Sequence, residues 1–173
     1  MKEGYICPTC GQFHSELPME FGADAPALYY AIPEEERASR CDLTTDLCVI
    51  DGAHFFIRGC LEIPVVDGSG PFVWGVWASL SKDNFKRAME LWDTPGRENE
   101  PPYFGWLCTS LPRYPDTLHL KTHVYTRPVG QRPVVELEPT DHSLAVDQRN
   151  GITMNRVREI AEALLHGNNV GHT

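Results

Sequence analysis

Between residues 47 and 80 the alternation of apolar and polar positions predicts three strands joined by two turns. The stretch LCVIDGAHFFIRGCLEIPVVDGSGPFVWGVWASL reads as a strand, an Asp51-Gly52 turn, a long strand, a loop at Asp67-Gly68-Ser69-Gly70 and a third strand. In the long strand Phe55, Ile57, Leu61 and Ile63 share one face while His54, Arg58, Cys60 and Glu62 share the other, because successive strand side chains point to opposite sides. A symmetric hairpin about the four-residue loop sets Ile63 opposite Trp74, Leu61 opposite Val76 and Ile57 opposite Leu80. A slip of one residue would carry Arg58 and Glu62 into the core, so the charges specify which face is buried.

The periodicity then changes. Ser81 is placed to cap a helix running to about Trp92, with Phe85, Ala88, Met89 and Trp92 on one face at i, i+3, i+4 and i+7. After the polar loop TPGRENEPP, YFGWLCTSL predicts a strand, and LHLKTHVYTRPVGQRPVVELEP a second hairpin. Symmetry about Pro128 to Gln131 sets Lys121 across from Glu138 and His123 across from Glu136, with Leu120, Thr122 and Val124 on the opposite face. Residues 25 to 40 predict one or two short helical turns, with Pro33 ahead of Glu34, Glu35 and Glu36. Thr153 caps a last helix over 153–166, whose stripe is Val157, Ile160, Ala161, Leu164 and Leu165 and whose end is marked by His166-Gly167. The expectation is an α+β fold: a mainly antiparallel sheet built from hairpins, with helices packed on one side.

The chain has 173 residues, 42% of them hydrophobic, enough for one core and short for two ordinary domains. A single domain over 1–173 is expected, with an N-terminal segment over 1–20, the hairpin-rich sheet over 45–140 and a helix over 82–92 inserted in it. With 24 acidic against 15 basic residues, the net charge of −9 argues against a nucleic-acid partner, since binding phosphates requires a basic surface. No apolar run approaches the roughly 20 residues that span a bilayer, and MKEGYICPTC lacks the apolar stretch of a signal peptide, so a cytoplasmic protein without a membrane partner is expected. Six cysteines in such a chain suit thiols or metal ligands better than a disulfide framework.

Three groups of residues could carry chemistry. The first is YICPTCGQFH, where Cys7-Pro-Thr-Cys10-Gly11 has the form of half a zinc ribbon and His14 adds a nitrogen donor. No second CxxC exists, so a fourth ligand must come from elsewhere. Cys48 is favoured over Cys41 and His142. Four protein ligands make a closed structural site, whereas three leave a position for water and chemistry. The rivals are a redox pair, which Gly11 and Pro18 disfavour by preventing a helix directly after Cys10, and unbound thiols.

The second group is the polar sheet face: Arg58 and Glu62 on one hairpin, Lys121, His123, Glu136 and Glu138 on the other, with Trp77 on the same side. It suits a small polar ligand, a partner or acid-base work, against the plainer alternative of solvated charge pairs. The third is EPTDHSLAVDQRNG, read as a strand-to-helix loop, where Asp141 could orient His142 or both could serve in turns and caps. No nucleophile elbow, P-loop or Rossmann fingerprint is present.

The segments CPTCGQFHSELP, DLCVIDGAHFFIRGCLEIPV, FVWGVWASLS, EPPYFGWL and ELEPTDHSLAVDQRNGIT, in this order, resemble the bacterial family catalogued as domain of unknown function 2199 (DUF2199). The resemblance implies a single-domain, cytoplasmic bacterial protein; its matches include Cys7, Cys10, His14 and Cys48, while Cys41, Cys60 and Cys108 fall outside them. It carries over no catalytic residue and does not decide whether the protein is an enzyme. The reading preferred here is a binding domain stabilised by structural zinc, with a protein or a small polar ligand as partner. The alternatives are a small zinc hydrolase with an open metal site and an acidic immunity-type protein that neutralises a basic partner.

Overall fold

The computed structural model describes residues 5–6, 12–14 and 17–166, with backbone alone at Tyr5 and His14. Two short strands, β1 (Tyr5–Ile6) and β2 (Phe13–His14), pair antiparallel. The remaining elements follow as β3 (Glu20–Gly22), α1 (Ala27–Ala31), α2 (Glu34–Arg40), β4 (Cys41–Leu43), β5 (Leu47–Ile50), β6 (His54–Ile63), β7 (Phe72–Leu80), α3 (Lys82–Glu90), β8 (Tyr103–Leu107), β9 (Lys121–Tyr125), β10 (Val134–Leu137), α4 (Ser143–Asn150) and α5 (Met154–His166). The fold is mixed α+β, with a mostly antiparallel sheet that closes into a barrel.

Closure follows from parity. Strands β6 to β10 form a five-stranded meander in which each strand runs against the last, so the first and fifth run the same way and must meet as a parallel pair. That seam is narrow: Val134 faces Cys60, and the Cys60 amide donates to the Pro133 carbonyl at 2.8 Å. Gly59 permits it, because a Cβ there would lie 2.6 Å from Val135 Cγ2 and 3.0 Å from the Pro133 carbonyl oxygen. The long β6–β7 hairpin extends past the barrel on both edges. Its β6 side continues through β5 to β4, and its β7 side pairs in parallel with β3.

The two tryptophans of β7 stand three residues apart and therefore point to opposite faces. Trp74 joins the main core with Leu61, Val76, Leu107, Val124 and Val135, to which α3, α4 and α5 add Ala88, Leu144, Val157 and Ile160. Trp77 builds a second cluster on the outer face with Ile32, Cys48, Ile50, Phe56 and Cys108, against which Ala27 and Leu28 of α1 pack. Helices thus lie on two sides of the sheet rather than one. The expected N-cap at Ser81 is present, its hydroxyl accepting from the Asn84 amide at 3.1 Å.

The two hairpins fare differently. The second has the expected register, His123 facing Glu136 and the Glu138 amide donating to the Lys121 carbonyl. The first is displaced by two residues: Ile63 faces Phe72, Leu61 faces Trp74 and Ile57 faces Ala78. The inward and outward sets survive because a shift of two preserves side-chain parity. Its cause lies far along the chain. Val65 leaves the hairpin to bridge Ile152 in parallel, with the Val66 amide donating to the Ile152 carbonyl and the Ile152 amide to the Pro64 carbonyl, so the connection is longer than a four-residue turn.

The segment expected to be a loop before the last helix is itself a helix, α4. Gln148 on α4 closes the edge of β10 beyond its single pair with β6: the Leu137 amide donates to Gln148 Oε1 at 2.8 Å, and Gln148 Nε2 donates to the Val135 carbonyl at 3.0 Å. In α5, Val157, Ile160 and Ala161 are buried, whereas Leu165 is exposed and lies off the stripe expected to include it.

Urea unfolding tests both ties. Gly59→Ala is expected to lose about 1–3 kcal/mol by overpacking the seam, while Gly70→Ala, with nothing within 4 Å, should be neutral or slightly stabilising. Gln148→Leu is expected to cost about 2 kcal/mol or more by orphaning the Leu137 amide and the Val135 carbonyl. A loss below about 0.5 kcal/mol would show that water replaces the glutamine without cost.

Candidate functional site

Strand β8 alternates strictly, with Tyr103, Gly105 and Leu107 buried and Phe104 and Trp106 exposed. Gly105 fixes that phase: a Cβ there would sit 2.5 Å from the Ser79 carbonyl oxygen and 3.3 Å from both Leu80 Cδ2 and Thr122 Oγ1, so the inward position admits no side chain. The two aromatic rings are held outward as a result. They meet edge to face at 5.2 Å, and Phe104 lies 6.1 Å from the ring of its cross-strand partner His123. Tyr125, next on the outer face of β9, is also exposed. The three aromatics keep 39%, 41% and 40% of their surface in water at Phe104, Trp106 and Tyr125.

Polar groups border this platform. Lys121 stands across from Trp106, and His123 Nε2 is 3.2 Å from Glu138 Oε1, a diagonal contact rather than the direct Glu136 pairing. Glu136 is exposed beside them. His123, Glu136 and Glu138, three of the residues selected from sequence, therefore stand together. The aromatics beside them are not among the residues that sequence points to as a site, since YFGWL reads there as a strand. The available signal was that YFGWL is apolar at all five positions, which leaves the outer face of the strand apolar once the inner face is buried.

The other expected residues lie elsewhere. Glu62 pairs with Arg127 at 3.4 Å and shares with Glu136 and Gln148 a broad groove of about 490 Å³ beside the 64–71 connection. Arg58 lies in a separate cleft. At the start of α4, His142 Nδ1 accepts from the Leu144 amide at 3.1 Å and His142 Nε2 donates to the Asp116 carbonyl at 2.9 Å. Both ring nitrogens are thereby committed, the first to capping α4, and exposed Asp141 takes no part in orienting the ring. Trp77 is wholly buried, its indole N–H donating to the Ala23 carbonyl, so this end of the outer face is covered.

Of the expected metal ligands, Cys7 and Cys10 lie outside the described residues, as does the side chain of His14. Cys48 has no exposed surface and sits in the second apolar cluster; burial, with Cys41, Asp42 and Cys108 nearby, pushes its thiol up to about 12. Cys41, two residues from the strand partner of Cys48, is half-buried on edge strand β4. Among the described residues no group of three or more His, Cys, Asp or Glu side chains is arranged to hold a metal ion. No helix among them is long and apolar enough to cross a membrane.

No curated protein and no solved structure matches the chain. One family does, over residues 6–152, which takes in the barrel, the aromatic platform and α4. The chain belongs to that family, described as an uncharacterized protein conserved in bacteria (DUF2199).

Proposed function

We propose that the protein is a binding domain that docks a polypeptide on the outer face of β8–β9–β10, and that zinc stabilises its N-terminal segment. The observation that carries the docking reading is the row of exposed rings at Phe104, Trp106 and Tyr125 on a rigid antiparallel sheet. Rigid aromatic side chains supply large contact area at small entropic cost, and they anchor interfaces more often than other residue types. The neighbouring Glu136 and Glu138, on a chain of net charge −9, favour a partner segment that combines basic and apolar residues.

Support for zinc is the Cys7-Pro-Thr-Cys10-Gly11 sequence bracketed by the antiparallel pair β1–β2, with His14 at the end of β2. The fourth donor in this reading is a thiol of the β4–β5 pair, Cys48 or the more accessible Cys41. The metal then contributes folding energy, because a site of this kind does not exist in the unfolded chain.

Panning a random-peptide display library on the purified protein tests the docking face. Enriched peptides are expected to place Lys or Arg beside apolar residues and to bind Trp106→Ser about tenfold more weakly or worse. Peptides that bind the wild type and Trp106→Ser equally would remove this face from the function.

Elemental analysis of protein purified without added metal tests zinc separately. About one zinc per chain is expected, lost in Cys7→Ser together with several degrees of melting temperature. Loss in Cys48→Ser but not in Cys41→Ser keeps the fourth donor at Cys48, and the converse moves it to Cys41. Metal-free wild-type protein would end the zinc reading and leave the docking face untouched.

A further inference from the structure

A cleft of about 210 Å³ opens where β6 meets the β9–β10 connection, lined by Asp46, Arg58, Asp93, Arg97 and Arg132 among others. Among the residues lining it are three arginines and two aspartates, with the Asp24 and Glu20 carboxylates near Arg58 and Arg132 respectively. The three arginines are committed to very different extents.

Arg97 is structural. It is 7% exposed, and its guanidinium donates to the carbonyls of Trp92, Arg127, Pro128 and Gln131, fastening the β9–β10 connection. None of these acceptors carries a formal charge, so its positive charge is hydrogen-bonded without being neutralised. Arg132 gives Asp46 Oδ1 only its Nε–H, at 2.8 Å; among the described residues neither of its Nη atoms has a partner. Arg58 keeps 15% of its side chain in water, yet its ion-pair contact is Asp24 at 4.0 Å, a carboxylate whose own side chain is 93% exposed. Its Nη1 donates to the Thr45 carbonyl at 3.3 Å, and its buried Nε has no partner. Asp46 joins the two: its carbonyl accepts the Arg58 amide and its carboxylate takes Arg132.

Two arginines that have N–H groups short of acceptors, Arg58 and Arg132, are therefore among the residues lining one small cleft, with Arg97 as a third cation. A buried guanidinium left short of acceptors is costly, and an oxyanion supplies what is missing, since carboxylate and phosphate oxygens match the forked donors of arginine. We propose that this cleft binds the oxyanion group of a small metabolite, a carboxylate or a phosphate held by Arg58 and Arg132. At ~30 Å³ per water the cavity holds about seven waters, which limits the enclosed part of the ligand to a few heavy atoms. This site is separate from the aromatic platform and stands or falls independently of it.

Calorimetric titration with inorganic phosphate and with succinate, at constant ionic strength against chloride, tests the proposal and separates the two sources of the oxyanion. Saturable binding of at least one is expected, weakened about tenfold or more in Arg132→Gln and unchanged in Lys121→Gln, which removes a positive charge outside the cleft, across from Trp106. Asp46→Asn is the decisive variant. It removes the carboxylate competing for Arg132, so binding should tighten, whereas a merely structural role for the Arg132–Asp46 pair predicts weakening. Absence of saturable binding by either anion, or equal affinity in wild type and Arg132→Gln, would overturn the assignment. Arg132 is about one-third exposed and its replacement leaves the core intact, so the result does not depend on the more buried Arg58.

Discussion

Everything in this fold depends on a strand that is apolar on both sides. Along β7 eight of nine residues are apolar or glycine, and the strand is buried over nearly its whole length. With Trp74 and Trp77 three positions apart, each face carries one indole, and each indole requires its own cover. The inner face finds it by curling β8, β9 and β10 round to β6. The outer face finds it under α1 and Ile32, with β4 and β5 alongside. Closure of the barrel covers one apolar face of such a strand; burial of both faces calls for a barrel and a cap.

The barrel in turn constrains what can be exposed. Four antiparallel steps through five strands must end in a parallel seam, and a seam pinned at Cys60 and Val134 leaves most of β10 without a partner on that edge. Open edges invite unwanted pairing, and Gln148 ends that risk by offering one amide to both the donor and the acceptor side of the strand. The same economy of space acts at Gly105, where crowding against Ser79 fixes the phase of β8 and turns Phe104 and Trp106 outward. Exposure of these aromatics is thus imposed by packing on the opposite face.

The polar residues of 138–152, which invite a catalytic reading, serve mostly as ties. His142 caps α4, Asp147 accepts from the Tyr114 hydroxyl at 2.8 Å, Arg149 donates to the Thr140 carbonyl at 2.8 Å, and Ile152 holds the β6–β7 connection. Chemistry-bearing side chains are also the ones best able to satisfy backbone groups at element ends, so residue type alone does not separate the two roles.

Local periodicity determined much of this protein before any tertiary contact formed: the inward and outward sets of β6, the Ser81 cap, the stripe of α3, and the register of the second hairpin, where opposite charges across two short strands leave one good pairing. It also set His123 across from Glu136, with Glu138 two residues further along the same face. It could not supply the two-residue displacement of the first hairpin, because the competitor for Val65 is Ile152, 87 positions away. Nor could it show that Arg58 shares a cleft with Arg132 or that Cys48 is sealed under Ile32, since those neighbours meet only once the sheet has closed. Sequence period sets which way a side chain points along its own element; which elements lie on that side, and hence whether a polar or aromatic group is covered, is decided by closure of the barrel.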